Sequence, residues 1–279
     1  MRFSVLMSCY KNDNPDFLRV AIKSSFSEQT LKPDEFLLIV DGPVPNSIEK
    51  VIFEFESEYK DIFKVYRLKE NKGLGNALRE GVLLCSYEYI VRMDSDDVSR
   101  KDRFEKLISY AKNNPEYSVI GSYTAEFEND VNCLTSVRVV KQEHKDIVEQ
   151  SKHRSPVSHV SVLLKKEAVL NSGNYMDFPL YEDYYLWIRM IKANCLFYNI
   201  PDVLVYVRTD KNRYKRKGNK TYIKSTISFQ KYLRKIRYIS KKEYLINKNG
   251  RLLVAWLPAG VRKFIYIVLL RRKPETVKM

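Results

Sequence analysis

Residues Tyr89–Ser99 read YIVRMDSDDVS, an apolar run that ends abruptly in three carboxylates, Asp94, Asp96 and Asp97. Like charges this close are unfavourable unless water, a cation or a helix N-terminus relieves them. If the extended geometry of the run persists, Asp94 and Asp96 lie on the same side of the chain. The preceding residues say what the run belongs to. Phe3–Cys9, Glu35–Val40 (EFLLIV) and Ile62–Leu68 read as short strands, with Tyr89–Met93 the fourth. Between them, residues 16–28, 46–59 and 74–84 have helical apolar spacing, as with Ile48, Val51, Ile52 and Phe55. Strand-helix alternation with short connections predicts an α/β fold, a mostly parallel sheet flanked by helices.

In such a sheet, ligands bind outside the carboxyl ends of the strands. The four exits are Ser8-Cys9-Tyr10, Asp41-Gly42, Asn71-Lys72-Gly73 and Asp94–Asp97. Each carries polar, aromatic or glycine residues of the kind that contact a nucleotide, and together they mark a site. Past it the pattern is mixed. Residues 101–113 read as a helix, residues 117–128 as a strand that 133–140 pairs with, and 160–164 as a short apolar run. Tyr184, Trp187, Ile188 and Ile191 fall at helical spacing behind Glu182-Asp183, and residues 203–207 close the body as a strand.

Composition narrows the class. With 279 residues, 44% apolar and only 9 glycines, the chain has the material for one large core and is not a disordered polymer. Cys9, Cys85, Cys133 and Cys195 are scattered, which gives neither a zinc pattern nor a disulfide framework and favours a reducing cytosol. The N-terminal apolar run is too short for a signal peptide, and no stretch reaches the roughly 18 apolar residues of a membrane span. The net charge of +15 is uneven: residues 1–210 hold 28 Lys/Arg against 32 Asp/Glu, whereas residues 211–279 hold 21 against 2. The expected organisation is a near-neutral catalytic domain over 1–210 and a basic, amphipathic C-terminal region over 211–279, with the boundary near residues 209–217.

Two carboxylates on one side of a strand exit can share a hard divalent cation with phosphate oxygens, and such an ion would neutralise a pyrophosphate leaving group. Two other uses fit the same residues. Asp96 or Asp97 could cap a helix beginning near Lys101. MDSDDV also fits the motif of haloacid-dehalogenase-type phosphatases, in which Asp94 would be a nucleophile.

A later segment separates these alternatives: Tyr181–Arg189, YEDYYLWIR. Together with SVLMSCYKND, NKGLGNALREG and MDSDD, it closely resembles the inverting family 2 glycosyltransferases of the GT-A fold, over roughly residues 3–208. The resemblance is similar in motif order as well as content, ending in Glu-Asp-Tyr-X-Leu-Trp-X-Arg. It implies that Tyr10 lies against a nucleotide base, that Asp41 hydrogen-bonds to it, and that Lys72 supports base or phosphate. It further implies that Asp94 holds ribose or sugar and that Asp96 binds Mn²⁺ or Mg²⁺. Asp183 would be the catalytic base, with Glu182 beside it shaping the acceptor site. His159 matches a histidine that faces the active site in the family, although the residue after it is Val160 where the family has proline. A single Asp41, and Ser172–Tyr175 in place of Gly-Gly-Tyr, also depart from the pattern. At the start of its helix, Asp183 is expected to be held ionised by the dipole.

The implied partners are a nucleotide-sugar donor, most simply UDP-linked, and a glycan acceptor. Relatives with a similar basic stretch after the catalytic domain assemble capsule, exopolysaccharide or O-antigen units, some on lipid-linked acceptors. The stretch VRTDKNRYKRKGNKTY, residues 207–222, interleaves basic and aromatic residues in a way that also suits nucleic acid, but no recognition module accompanies it. Beyond it, Pro258 and Gly260 divide an apolar, Lys/Arg-flanked segment into two short helices. Such segments either lie on a membrane or cap the enzyme body. The expected location is the cytosolic face of the cell membrane.

Overall fold

The computed structural model describes residues 1–209 and 218–277. The expected boundary at 209–217 therefore falls mostly on residues 210–217, outside the described residues. The first half is the anticipated alternation: β1 (Phe3–Cys9), α1 (Pro15–Ser24), β2 (Glu35–Val40), α2 (Asn46–Glu58), β3 (Phe63–Arg67), α3 (Leu74–Leu84) and β4 (Tyr89–Met93). The chain continues through β5 (Val98–Ser99), α4 (Arg103–Asn113), β6 (Tyr117–Phe127), β7 (Leu134–Arg138) and α5 (His144–Ser151). A 3₁₀ turn (His159–Ser161), β8 (Leu163–Lys165), α6 (Lys166–Asn171), α7 (Glu182–Lys192) and β9 (Leu196–Arg208) complete the body. Among the described residues three α-helices follow: α8 (Lys220–Lys235), α9 (Lys241–Trp256) and α10 (Ala259–Leu270).

Among the described residues, nine strands make one sheet in the order β3-β2-β1-β4-β8-β6-β9-β5, with β7 paired to β6. β3, β2, β1 and β4 are all parallel. The second half is mixed: β8 runs antiparallel to both β4 and β6, while β6 and β9 are parallel. Period-2 alternation divides the core between the two faces. Phe36, Leu38 and Val40 of β2 pack with Leu18, Ile22, Val51, Ile52, Phe55 and Phe104, and Leu37 and Ile39 pack with Leu78, Val82, Leu186 and Trp187. α1, α2 and α4 thus cover one face, and α3 and α7 the other.

Local signals set most boundaries. α1 starts where the Asn14 side chain accepts from the backbone N–H groups of Asp16 and Phe17, with Pro15 in the first turn. α4 begins at Arg103 behind Asp102, so neither Asp96 nor Asp97 is its cap. The expected strand at 203–207 is the end of a 13-residue strand. Its pairing with β6 shifts register opposite Pro201, which has no N–H to donate. The C-terminal apolar segment splits at Pro258 as expected, but its two helices have 16 and 12 residues. α9 opens with a capping box between Ser240 and Glu243. α8 is not detached from the body: Phe229 and Leu233 are fully buried with Tyr181, Tyr184 and Ile188 of the α7 region. No described helix is long and apolar enough to cross a membrane.

Candidate active site

The strand exits converge at the carboxyl edge of the parallel half, as the topology requires. Tyr10, Asp13, Phe17, Asp94, Asp96 and Asp97 line one cleft there, together with Arg208 and Glu128. Tyr10, just past β1, exposes 40% of its surface. Four aspartates crowd this cleft, and their partners differ. The Asp13 carboxylate accepts from the Ser95 hydroxyl at 2.8 Å and the Tyr10 N–H at 3.2 Å. Asp97 is buried and accepts from the Arg208 N–H at 2.8 Å. Asp94 pairs at 2.5 Å with the Arg92 guanidinium, which is fully buried beneath the strand end. Among the described residues the Asp96 carboxylate, which lines the cleft, has its own backbone N–H as partner.

Crowding has electrostatic consequences. Partial removal from water, followed by the charges of Asp94 and Asp13, pushes the Asp96 carboxyl up to about 6. Burial, then the charges of Asp94 and Asp96, moves Asp97 well above the ordinary carboxylate range. Hard oxygen donors with surplus negative charge fit a divalent cation. Among the described residues no three His, Cys, Asp or Glu groups form a self-sufficient metal cage. The arrangement therefore suits an ion that takes its remaining ligands from phosphate oxygens and water. The phosphatase alternative fares worse, because its nucleophile Asp94 is held in the ion pair with Arg92.

Asp41 and Lys72 occupy the next exit, outside the cleft lining. Both Asp41 oxygens are engaged: Oδ1 accepts from the Lys72 N–H at 2.7 Å and Oδ2 from the Gly73 N–H at 2.9 Å. The carboxylate thereby fixes the two residues that lead into α3, whose N-cap Gly73 has no side-chain cap. Gly42 follows at φ +82°, and a Cβ there would lie 2.5 Å from the Asn71 backbone nitrogen, so the loop holding Lys72 requires glycine. The Lys72 side chain is exposed and forms no ion pair among the described residues.

Asp183 lies in a neighbouring cavity, on the first turn of α7, where Ser155 donates to it at 3.4 Å. Burial raises its carboxyl, outweighing the Tyr184 N–H, Arg138, Arg92 and Ser155, which all act to lower it. Loss of hydration at this depth therefore acts against the helix N-terminus, which favours the charged form. Arg92 acts on both cavities, pairing with Asp94 and stabilising charge on Asp183. Glu182 accepts from the Leu180 N–H at 3.2 Å and packs on α3, where a Cβ on Gly75 would come within 2.9 Å of its Cγ. His159 sits behind these groups. Its Nε2 is 2.8 Å from the Tyr175 hydroxyl and its ring packs edge-on against Trp187. Burial and then Arg92 keep the imidazole well below its usual range, hence neutral.

Three features of the site went unread in the sequence. Arg92, a charge inside a buried strand, demands a partner, and that demand alone could have flagged it. Asp13 sits in the YKND segment without periodic signal. Arg208 stacks over Phe17 at 3.8 Å and Phe127 at 4.5 Å, a clamp whose members are far apart in sequence.

Residues 4–168 match the family described as Glycosyl transferase family 2. An Escherichia coli protein named UDP-Gal:alpha-D-GlcNAc-diphosphoundecaprenol beta-1,3-galactosyltransferase is 36% identical over 271 residues, covering 97% of each chain. The amylovoran biosynthesis glycosyltransferase AmsE of Erwinia amylovora is 32% identical, covering 95% of this chain and 97% of its own. Among solved structures, S. aureus TarS 1–349 in complex with UDP-GlcNAc gives a TM-score of 0.63 at 12% identity, covering 99% of this chain and 77% of that one. The mannosyltransferase PcManGT from Pyrobaculum calidifontis, solved with GDP-Man and Mn2+, gives 0.62 at 12% identity over 96% and 75%. At that identity the likeness shows the fold, which is GT-A.

Proposed function

The chain belongs to glycosyl transferase family 2, and on that footing we propose that it transfers a sugar from a UDP-sugar to a lipid-linked glycan, inverting the anomeric centre, in cell-surface polysaccharide assembly. The phosphatase alternative loses its footing with family membership. The names of the E. coli and Erwinia relatives support the donor, acceptor and pathway class. One observation carries the assignment: the carboxylate cleft at the parallel strand ends and the Asp183 cavity share one buried cation, Arg92. Donor and acceptor sites are thus adjacent but distinct. Residues 1–210 form the catalytic unit, and 211–279 complete its acceptor side.

The residues divide the work by position. Tyr10 offers an exposed ring for the base, and each Asp41 oxygen keeps a lone pair for a base N–H while fixing the Lys72 loop. Lys72 supplies a mobile positive charge toward the donor. Asp94, oriented by Arg92, meets the donor's sugar hydroxyls. Asp96, with Asp94 and Asp13 nearby, would hold a Mn²⁺ or Mg²⁺ ion, which when bound supplies neutralising charge to the diphosphate. Asp183 takes the proton from the attacking acceptor hydroxyl. Burial raises its carboxyl above the ordinary range, which makes it a stronger proton acceptor than an exposed aspartate. Glu182 and neutral His159 set the position of α7 around it.

Attack by the acceptor oxygen on the anomeric carbon, opposite the diphosphate, forms the new glycosidic bond as the UDP oxygen leaves. The base and the leaving group then lie on opposite faces of the sugar, which accounts for two separate cavities. The test is release of UDP from a panel of nucleotide sugars by purified protein with Mn²⁺, with and without EDTA and acceptor. Acceptor-stimulated, EDTA-sensitive release is expected. Phosphate release from simple esters without nucleotide release would refute the assignment.

A further inference from the structure

The Asp183 cavity extends well beyond what a proton acceptor requires. It encloses about 560 Å³ between the body and the C-terminal helices α9 and α10. Among the described residues Arg138, Arg154, Arg251 and Arg271 line it, against a single carboxylate, Asp183. Arg271 is neutralised by Glu126, at 3.0 and 2.7 Å. Among the described residues Arg251 donates to neutral oxygens, the His153 carbonyl at 2.6 Å and the Tyr181 hydroxyl at 3.3 Å. The Arg154 guanidinium has no hydrogen bond or ion pair among the described residues. Burial, followed by the charges of Arg271 and Arg251, lowers its pKa. Guanidiniums crowded in this way await an anion with several oxygens, since bidentate charge-assisted bonds are their strongest contacts.

The opposite wall is apolar. Val254, Ile265 and Leu270 line the interior. Ile246 and Leu269 line the cavity and are 58% and 72% exposed, so they form its mouth. Trp256 and Phe264 on the same helix pair are 78% and 66% exposed. Exposed apolar side chains thus edge a cavity whose arginines stand beside the proposed base.

We infer that this cavity binds the diphosphate of the lipid-linked acceptor, with Arg154 and Arg251 on its oxygens and the first carbons of the lipid leaving between Ile246 and Leu269. A sugar joined to that diphosphate meets Asp183 directly, because the base lines the same space. The inference rests on the lipid-linked acceptor proposed above and deepens it. It also gives α9 and α10 a reason to be amphipathic without spanning a bilayer.

Calorimetric titration of the full chain with dodecyl diphosphate, kept below its micelle concentration, tests it. Saturating UDP and Mn²⁺ are present so that the donor cleft is closed. The wild type should bind the diphosphate at least about tenfold more tightly than dodecyl maltoside or dodecyl sulfate, the margin of one charge-assisted contact. Arg154→Gln should lose about tenfold while UDP affinity, titrated separately, stays within about twofold. Among the described residues Arg154 makes no side-chain hydrogen bond or ion pair, so this variant should fold even if Arg251→Gln does not. Equal binding of dodecyl sulfate, unchanged affinity in Arg154→Gln, or exclusion of dodecyl diphosphate by UDP overturns the inference. Failure of wild-type protein to bind UDP would count against the donor assignment instead, and the alkyl diphosphate result is then judged without UDP.

Discussion

Replacing Asp183 with asparagine separates catalysis from folding. The change keeps the size and one acceptor oxygen for Ser155 and the Tyr184 N–H, and removes only the ability to take a proton. General-base assistance contributes about 10²–10⁴-fold, equivalent to about 2.7–5.4 kcal/mol of barrier, so transfer should fall by that factor with UDP affinity unchanged. Stability should move the other way or not at all. The folded carboxyl is raised above its unfolded value, so its stabilising contribution is present below the unfolded pKa and is lost as pH rises through the folded one. At neutral pH the buried anion is a net cost that asparagine removes, and the thermal midpoint should hold or rise. The same shift sets the pH profile: wild-type transfer climbs as pH passes the raised carboxyl range, whereas residual transfer in Asp183→Asn stays flat there. The assay is acceptor-dependent UDP release at saturating donor, alongside thermal melts. If Asp183→Asn keeps transfer within about threefold of wild type, or if Glu182→Gln is the inactive variant, the base is misassigned.

Asp96→Ala should abolish EDTA-sensitive turnover and weaken donor binding without lowering the melting temperature, because its carboxylate holds no other side chain in place among the described residues; wild-type UDP affinity in the variant contradicts this. Gly75→Ala should change stability by no more than about 1 kcal/mol, since gained helix propensity opposes the 2.9 Å approach to Glu182. Displacing Glu182 should nevertheless raise the acceptor KM, and unchanged acceptor kinetics would show that α3 does not position it. Serine at Trp256, Phe264 and Leu269 together should reduce co-sedimentation with anionic liposomes, most clearly at high salt, where screened lysines and arginines contribute least. Retained high-salt binding would place the membrane contact elsewhere.

The parallel half of the fold follows from local rules that a sequence displays. Strands of five to seven residues alternating with amphipathic helices leave one right-handed way to cover both sheet faces. The strand exits, and with them Tyr10, Asp41, Lys72 and Asp94–Asp97, could therefore be located in advance. Segment 181–189 was legible because its motif and its helical apolar stripe coincide.

Contacts between distant residues were not legible. Arg92 beneath Asp94, Asp13 beside Ser95, and Arg208 between Phe17 and Phe127 depend on which chain segments the sheet brings together. The mixed half of the sheet was equally hidden, since strands as short as β5 and β8 carry too few residues for a period to show. The state of Asp183 also belongs to tertiary structure. Helix position is local and predicts a lowered carboxyl, but burial depends on everything packed above α7, and burial is the larger effect. The basic tail shows the same division. Its charge and apolar clusters are plain in the sequence, whereas the cavity it closes over Asp183 exists only once α8 has buried Phe229 and Leu233 against Tyr181 and Tyr184. Composition fixes what a segment can bind, and only packing decides what it faces.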